Sequence, residues 1–482
     1  MAELKRELGF WDLVLFHLTA IFGLRWVSIA AANGFSSVTL WTLAFVSFFL
    51  PQAYVLLKLS RKWPVEGGLY QWTKEALGPF HGFVSGWCYF FNNLTYYPTV
   101  LTTAAGYATY IWFSRWAGLE ENKTYVFWFC LIFLWLSLIL NMIGLKIGKW
   151  VQNIGGISTW IPGGLVIILG TLFYFLHGSA TPFTPASLIP VINIDTITFF
   201  SLICFAFAGF ELITLMGGEI KNAEKTIPRS IVTAGAIGTV IYIAGTVALI
   251  VSLPHEKISL ISGVLQAISE QGRTFGIPFL SNVIAVPLIL AQIGAVGAWL
   301  AGSGRVLYAV GVDRYLPPIF SKIHPKWSTP YFSILIQGFI SSLFIGLSAA
   351  GSGSVRQFWQ LLLGATLIIY FIPYVYLFIA YFAFMRRKEM PLNFYGVAAC
   401  IIGIFTTVVS IVISLFPPAD KTPMVSVPLL SRFFNLSTGQ WIYEGKILAS
   451  SFGAVGLGIL LYFKVPGKIA RLFRPAGQGI SS

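Results

Sequence analysis

Two ionisable side chains stand inside otherwise apolar stretches, each two residues after a glycine. Arg25 lies in Phe22-Gly23-Leu24-Arg25-Trp26, and Glu211 lies in Phe205-Ala206-Phe207-Ala208-Gly209-Phe210-Glu211. In a membrane-crossing segment each charge costs at least about 2.5 to 3.5 kcal/mol on insertion scales, so it needs a cavity, a partner or a function. A mid-span glycine lets a helix unwind, which frees backbone N–H and C=O groups to bind a polar ligand at the midplane. A guanidinium and a carboxylate in two such breaks suit either of two chemistries. One is the binding or gating of a small charged ligand; the other is a buried Arg25–Glu211 ion pair that locks two helices together. The residues alone leave both open. His17, one helical turn before the first break, is either a proton relay or a hydrogen-bonded packing residue.

Catalytic patterns are absent. The chain has no His-Glu-x-x-His, no glycine-rich nucleotide loop ending in Lys-Ser/Thr and no Cys-x-x-Cys. No enzyme activity, cofactor or metal site is therefore expected. The four cysteines, Cys88, Cys130, Cys204 and Cys400, fall in apolar stretches, where cysteine behaves as a small hydrophobe.

The elements that must position Arg25 and Glu211 follow from composition. Of 482 residues, 56% are hydrophobic and only 10% charged, with a mean hydropathy of +0.79. Soluble domains carry about 25% charged residues, so this chain cannot cover a water-facing surface. It is a polytopic membrane protein, which excludes a soluble enzyme, a disulfide scaffold, a disordered chain and a nucleic-acid-binding domain. At about 20 apolar residues per span, twelve spans are predicted, near 10–34, 38–59, 81–113, 124–145, 151–177, 196–218, 230–253, 280–311, 330–350, 357–385, 394–416 and 443–464. Arg25 falls in the first and Glu211 in the sixth, the two that an inverted five-plus-five repeat would pair. The net charge of +14 reads as topology. With the N-terminus inside, 22 of the 31 Lys and Arg residues, Arg305 among them, fall on the cytoplasmic side and eight outside, so both termini are expected in the cytoplasm.

At three places the chain resembles the amino acid/polyamine/organocation superfamily of transporters. After span two comes Pro64-Val-Glu66-Gly67-Gly68-Leu-Tyr70-Gln-Trp72, followed by Gly78-Pro79. Span six runs into Glu219-Ile-Lys-Asn222-Ala-Glu-Lys-Thr-Ile-Pro228-Arg229. After span eight come Gly304-Arg305-Val-Leu-Tyr308 and Asp313-Arg314-Tyr-Leu-Pro317. Within the superfamily it is most similar to the glutamate/GABA antiporter branch, through Ile258-Ser-Leu-Ile-Ser-Gly263-Val-Leu-Gln266, Trp299-Leu-Ala-Gly-Ser-Gly-Arg305 and Ser414-Leu-Phe-Pro417-Pro418.

The resemblance implies a substrate site at the two breaks, from Gly23, Leu24, Arg25 and Trp26 and from Phe205, Ala206, Ala208, Gly209 and Glu211. It places Phe205 as a gating aromatic and Trp299 on the site wall. Tyr96 and Tyr97 in span three are further wall candidates, although Asn92, Asn93 and Pro98 could simply shape that helix. Many members of the superfamily hold the substrate carboxylate on the amides of a Gly-Ser/Ala-Gly break. This chain has Gly23-Leu24-Arg25 instead, so Arg25 is the candidate to supply that positive charge bidentately. Proton-coupled members often carry a lysine in span five; residues 151–176 contain none, which points to exchange or uniport.

The expectation is an all-α polytopic membrane protein of twelve transmembrane helices. Residues 1–385 form an inverted-repeat core, spans 1–5 and 6–10, with broken helices 1 and 6; residues 386–482 form two peripheral helices and a cytoplasmic tail. The expected function is secondary active transport of small amino acids across the cell membrane, by exchange and alternating access. The alternatives are an amine or polyamine carrier with Glu211 as the cation site, a proton- or sodium-coupled symporter, and a receptor without flux. The expected partners are the amino acid or amine substrate and the lipid bilayer, with a homodimer left open and nucleic acid excluded.

Overall fold

A computed structural model of the chain describes residues 7–64, 67–111, 118–143, 145–351, 353–415 and 438–472. Glu66, Phe416 to Pro418 and the two ends of the chain, used in the reading above, lie outside them. The helices are α1 (Phe10–Ala20), α2 (Arg25–Ala31), α3 (Ser36–Ala44), α4 (Leu50–Lys62), α5 (Gly68–Leu77), α6 (Pro79–Ala108), α7 (Lys123–Met142), α8 (Leu145–His177), α9 (Ile194–Ala206), α10 (Ala223–Ser252), α11 (Gly263–Thr274), α12 (Leu280–Val312), α13 (Tyr331–Ala350), α14 (Val355–Arg386), α15 (Phe394–Ile413) and α16 (Thr438–Leu472). Four of them start where a short polar side chain accepts the backbone N–H three residues on. Asn122 takes Tyr125 at 3.1 Å, Asn193 takes Thr196 at 2.8 Å, Ser354 takes Gln357 at 3.1 Å and Asn393 takes Gly396 at 2.7 Å.

Among the described residues nine helical segments are long and apolar enough to cross a membrane, and α1 with α2, bent by 45°, makes a tenth. The other two predicted spans fall short for separate reasons. Helix α6 has 30 residues, but Tyr, Asn and Thr dilute its hydropathy; it packs between α12 and α14, so most of its surface meets protein rather than lipid. Span six was expected to run to residue 218, yet α9 stops at Ala206. Short 3-10 turns at Leu212–Leu215 and Gly217–Glu219 carry the chain onward. The helix does not resume through Gly209, whose φ of +118° is closed to ordinary L side chains.

Both breaks sit in the middle of the bundle. Helix α1 packs on α8, α10 and α12, and α2 on α9, α10 and α11; α15 packs on α4, α9 and α14, and α16 on α6 and α14. The glycine-rich motif after span two folds as α5, packed on α6 and α14. At its start the Gly67 N–H donates to the Leu215 carbonyl at 3.2 Å, and a Cβ on Gly68 would lie 2.9 Å from the Thr214 carbonyl. That helix therefore seats the end of span six.

Beside it, Glu7 and Leu8 donate their backbone N–H groups to the Glu219 carbonyl at 3.0 and 3.1 Å, and Lys221 returns one to Leu8 at 2.9 Å. The Glu219 carboxylate grips Arg305 of α12 in a two-pronged ion pair, 2.8 and 2.9 Å, with the two side chains 1% and 2% exposed. Arg305, counted above with the loop charges, is thus a buried residue. Its charge is met by a carboxylate from the motif after span six instead of by water.

Candidate functional site

The two charges that opened the sequence reading do not pair. Glu211 is fully buried, and both of its oxygens are occupied. Oε1 accepts Tyr89 of α6 at 2.9 Å and Tyr370 of α14 at 2.6 Å; Oε2 accepts Tyr374 of α14 and the Gly209 N–H at 3.2 Å. A carboxylate offers about four acceptor positions, so Glu211 is saturated. It ties the break in span six to α6 and α14.

Arg25 is differently served. The residue is 3% exposed, and its guanidinium donates to Gln292 Oε1 at 2.8 Å and to the Tyr96 hydroxyl. It lies over the Trp26 ring at 4.7 Å and the Tyr96 ring at 5.3 Å, contacts worth about 0.5 to 2 kcal/mol each. All of these partners are neutral. Desolvating a charge costs several kcal/mol, and a guanidinium has five N–H donors, so Arg25 retains donors that no described residue accepts. The side chain folds back over the first break: a Cβ on Gly23 would lie 2.7 Å from Nη1.

A cluster of aromatic rings in mutual contact joins these two groups. Phe205 meets Trp26 at 5.4 Å, Tyr96 at 5.9 Å and Tyr370 at 5.2 Å, each edge to face. Trp299 meets Tyr96 at 5.6 Å and Tyr370 at 5.7 Å, and its indole N–H is anchored on the Ala20 carbonyl at 2.9 Å. The freed backbone is largely satisfied by neighbouring helices. The Tyr242 hydroxyl of α10 bridges the Ile21 and Ala206 carbonyls at 2.9 and 3.0 Å, Gln52 donates to the Phe207 carbonyl at 2.6 Å, and His17 lies between the carbonyls of Leu13 and Phe210 at 2.9 and 3.4 Å. The carbonyls of Phe22 and Ala208 accept nothing from the described residues.

Of the sequence-derived candidates, Gly23, Arg25, Trp26, Tyr96, Phe205, Ala206, Ala208, Gly209, Glu211 and Trp299 come together around the breaks. Leu24 turns its side chain toward Gly163 on α8. Tyr97 points to a separate network, bonding Ser303 at 2.9 Å and Gln337 at 2.7 Å. Sequence reasoning missed Tyr89, Tyr370, Tyr374, Tyr242 and Gln292. Tyr89 with Tyr96, and Tyr370 with Tyr374, carry a signal in their seven- and four-residue spacings, which put each pair on one helix face. Gln292 is an amide in the middle of an apolar span and so needed a partner.

Gly209 is where substitution should hurt the site most locally. An added Cβ would sit 2.9 Å from Ile21 and 3.1 Å from Trp299, on a backbone that disfavours it. Gly209→Ala is expected to cost about 1 to 3 kcal/mol from the strained φ alone and to displace Trp299. A melting temperature and ligand affinity equal to the wild type's would contradict this.

The profile of the family described as amino acid permease matches residues 8–436. Over 448 residues the chain is 28% identical to an uncharacterized transporter of Legionella pneumophila, covering 90% of this chain and 94% of that one. Over 394 residues it is 25% identical to the probable agmatine/putrescine antiporter AguD of Lactococcus lactis, covering 81% and 82%. Its fold is similar to the crystal structure of MhsT in complex with L-phenylalanine, with a TM-score of 0.62 at 14% identity, covering 86% of this chain and 99% of that one.

Proposed function

Because the chain belongs to the amino acid permease family, we propose that it exchanges small zwitterionic or acidic amino acids across the cell membrane by alternating access. The observation that carries this reading is Arg25, a buried cation with neutral partners and donors to spare. A substrate carboxylate fits those donors in charge and in fork geometry. The carbonyls of Phe22 and Ala208, which accept nothing from the described residues, offer acceptors for the substrate ammonium, and the ring cluster of Trp26, Tyr96, Phe205 and Trp299 would pack against a side chain of modest size. Phe205, in contact with Trp26 across the two breaks, acts as the gate. The excess of basic residues on one side supports a topology with both termini in the cytoplasm. Spans 1–5 and 6–10 form the moving core, with α15 and α16 outside it.

Exchange is tested by counterflow. Proteoliposomes loaded with an unlabelled amino acid should take up the labelled one several-fold faster than empty vesicles. Equal uptake by loaded and empty vesicles would contradict exchange.

A second reading, an amine carrier, draws support from the similarity to a probable agmatine/putrescine antiporter and from the ring-lined carboxylate of Glu211. Saturation of Glu211 by four donors weighs against it, because a ligand cation would have to displace a tyrosine. Preferential counterflow of putrescine or agmatine over every amino acid would establish it instead.

A further inference from the structure

Arg25 reaches the site from α2, and besides Tyr96 of α6 the side chain that holds its guanidinium belongs to α12. Gln292 is 1% exposed and accepts from Arg25 Nη1 at 2.8 Å. A guanidinium only donates, so the amide must turn its oxygen to Arg25, and its NH2 group then faces away with no partner among the described residues. Gln292 precedes Trp299 by seven residues, two helical turns, so both lie on one face of α12. One face of a single helix thus supplies both a ring against Tyr96 and Tyr370 and the tether for the charge. The tether's neutrality matters as much as its reach. A carboxylate at this position would pair with Arg25 and consume its charge, whereas an amide holds the guanidinium in place and leaves it one positive charge in excess.

We propose that Gln292 is the positioning residue that sets the site's preference for substrates bearing a carboxylate. This rests on the reading of Arg25 as the carboxylate receptor. Gln292→Glu converts the tether into an internal counter-ion, and the substrate's carboxylate then meets a neutralised pair. Gln292→Met keeps the shape of the side chain and removes the acceptor, which leaves the guanidinium held by the Tyr96 hydroxyl alone.

The test compares full-length wild type, Gln292→Glu and Gln292→Met for binding of amino acids and of the amines their decarboxylation yields: ornithine against putrescine, arginine against agmatine, valine against isobutylamine. Wild type should prefer the amino acid of at least one pair. In Gln292→Glu the affinity for that amino acid should fall about a hundredfold while the amine binds as well as before or better. In Gln292→Met the amino acid should lose about tenfold with the amine unchanged. A purely structural role would weaken both ligands alike and leave their ratio in place. An unchanged ratio in both variants, with wild type preferring the amino acid, overturns the role of Gln292 and spares that of Arg25. Preference of wild type for the amine in every pair overturns both. Should Gln292→Glu fail to fold, the ratio in Gln292→Met decides.

Discussion

Arg305→Ala is expected to destabilise the protein by about 3 to 5 kcal/mol, because it leaves the Glu219 carboxylate buried without the guanidinium that pairs with it, and Glu219→Ala is expected to destabilise it as well. The pair is 1% and 2% exposed and doubly bonded. The nearby Lys74–Asp313 pair, at 2.8 Å, has side chains 23% and 21% exposed. Water screens that second pair, and its loss should cost no more than about 1 kcal/mol. Removing both buried charges together, as in Arg305→Met with Glu219→Leu, should recover much of the loss. Thermal melts of the two single mutants, the double mutant and Lys74→Ala in one detergent check this: a double mutant as unstable as the worse single one would show that the pair's charges do not dominate.

Arg25→Ala should behave in the opposite way. Its partners Gln292 and Tyr96 are neutral, so its removal strands no charge, and the ligand-free protein should melt within about 1 kcal/mol of wild type or above it. Amino acid affinity should nevertheless fall about a hundredfold, the worth of a desolvated two-pronged contact of roughly 3 kcal/mol. A loss of stability comparable to that of Arg305→Ala, with affinity retained, would mark Arg25 as a structural residue.

The contrast between these two arginines shows what was legible in the sequence. Both were visible as charges in or beside apolar spans, and the glycines at 23 and 209 marked where the helices break. Which carboxylate met which arginine was not legible. Arg25 and Glu211 each stand two residues after a glycine in spans one and six, but like placement does not imply contact, and the motif carboxylate Glu219 took Arg305 instead. The extent of span six was misjudged because hydropathy does not distinguish an apolar helix from an apolar 3-10 turn. Helix α6 was found as a span even though its Tyr and Asn content lowers its hydropathy, but its inward face could not be assigned. A helix buried on nearly all sides has no polar stripe to show which way it points. That is why the sequence offers Tyr96 and Tyr97 as equal candidates, when only Tyr96 reaches Arg25. Tyr370, Tyr374 and Gln292 lie more than 80 residues from the second break, and only the packing of α12 and α14 brings them in.

The account stands on Arg25 receiving a substrate carboxylate, and the most direct test is a cycle that removes the residue and the ligand group in turn. Binding of one amino acid and of its decarboxylated amine is measured calorimetrically to wild type and to Arg25→Ala. The account predicts that wild type prefers the amino acid and that the preference collapses in Arg25→Ala, a coupling of about 2 kcal/mol or more between residue 25 and the carboxylate. An equal preference for the amino acid in both proteins would contradict it.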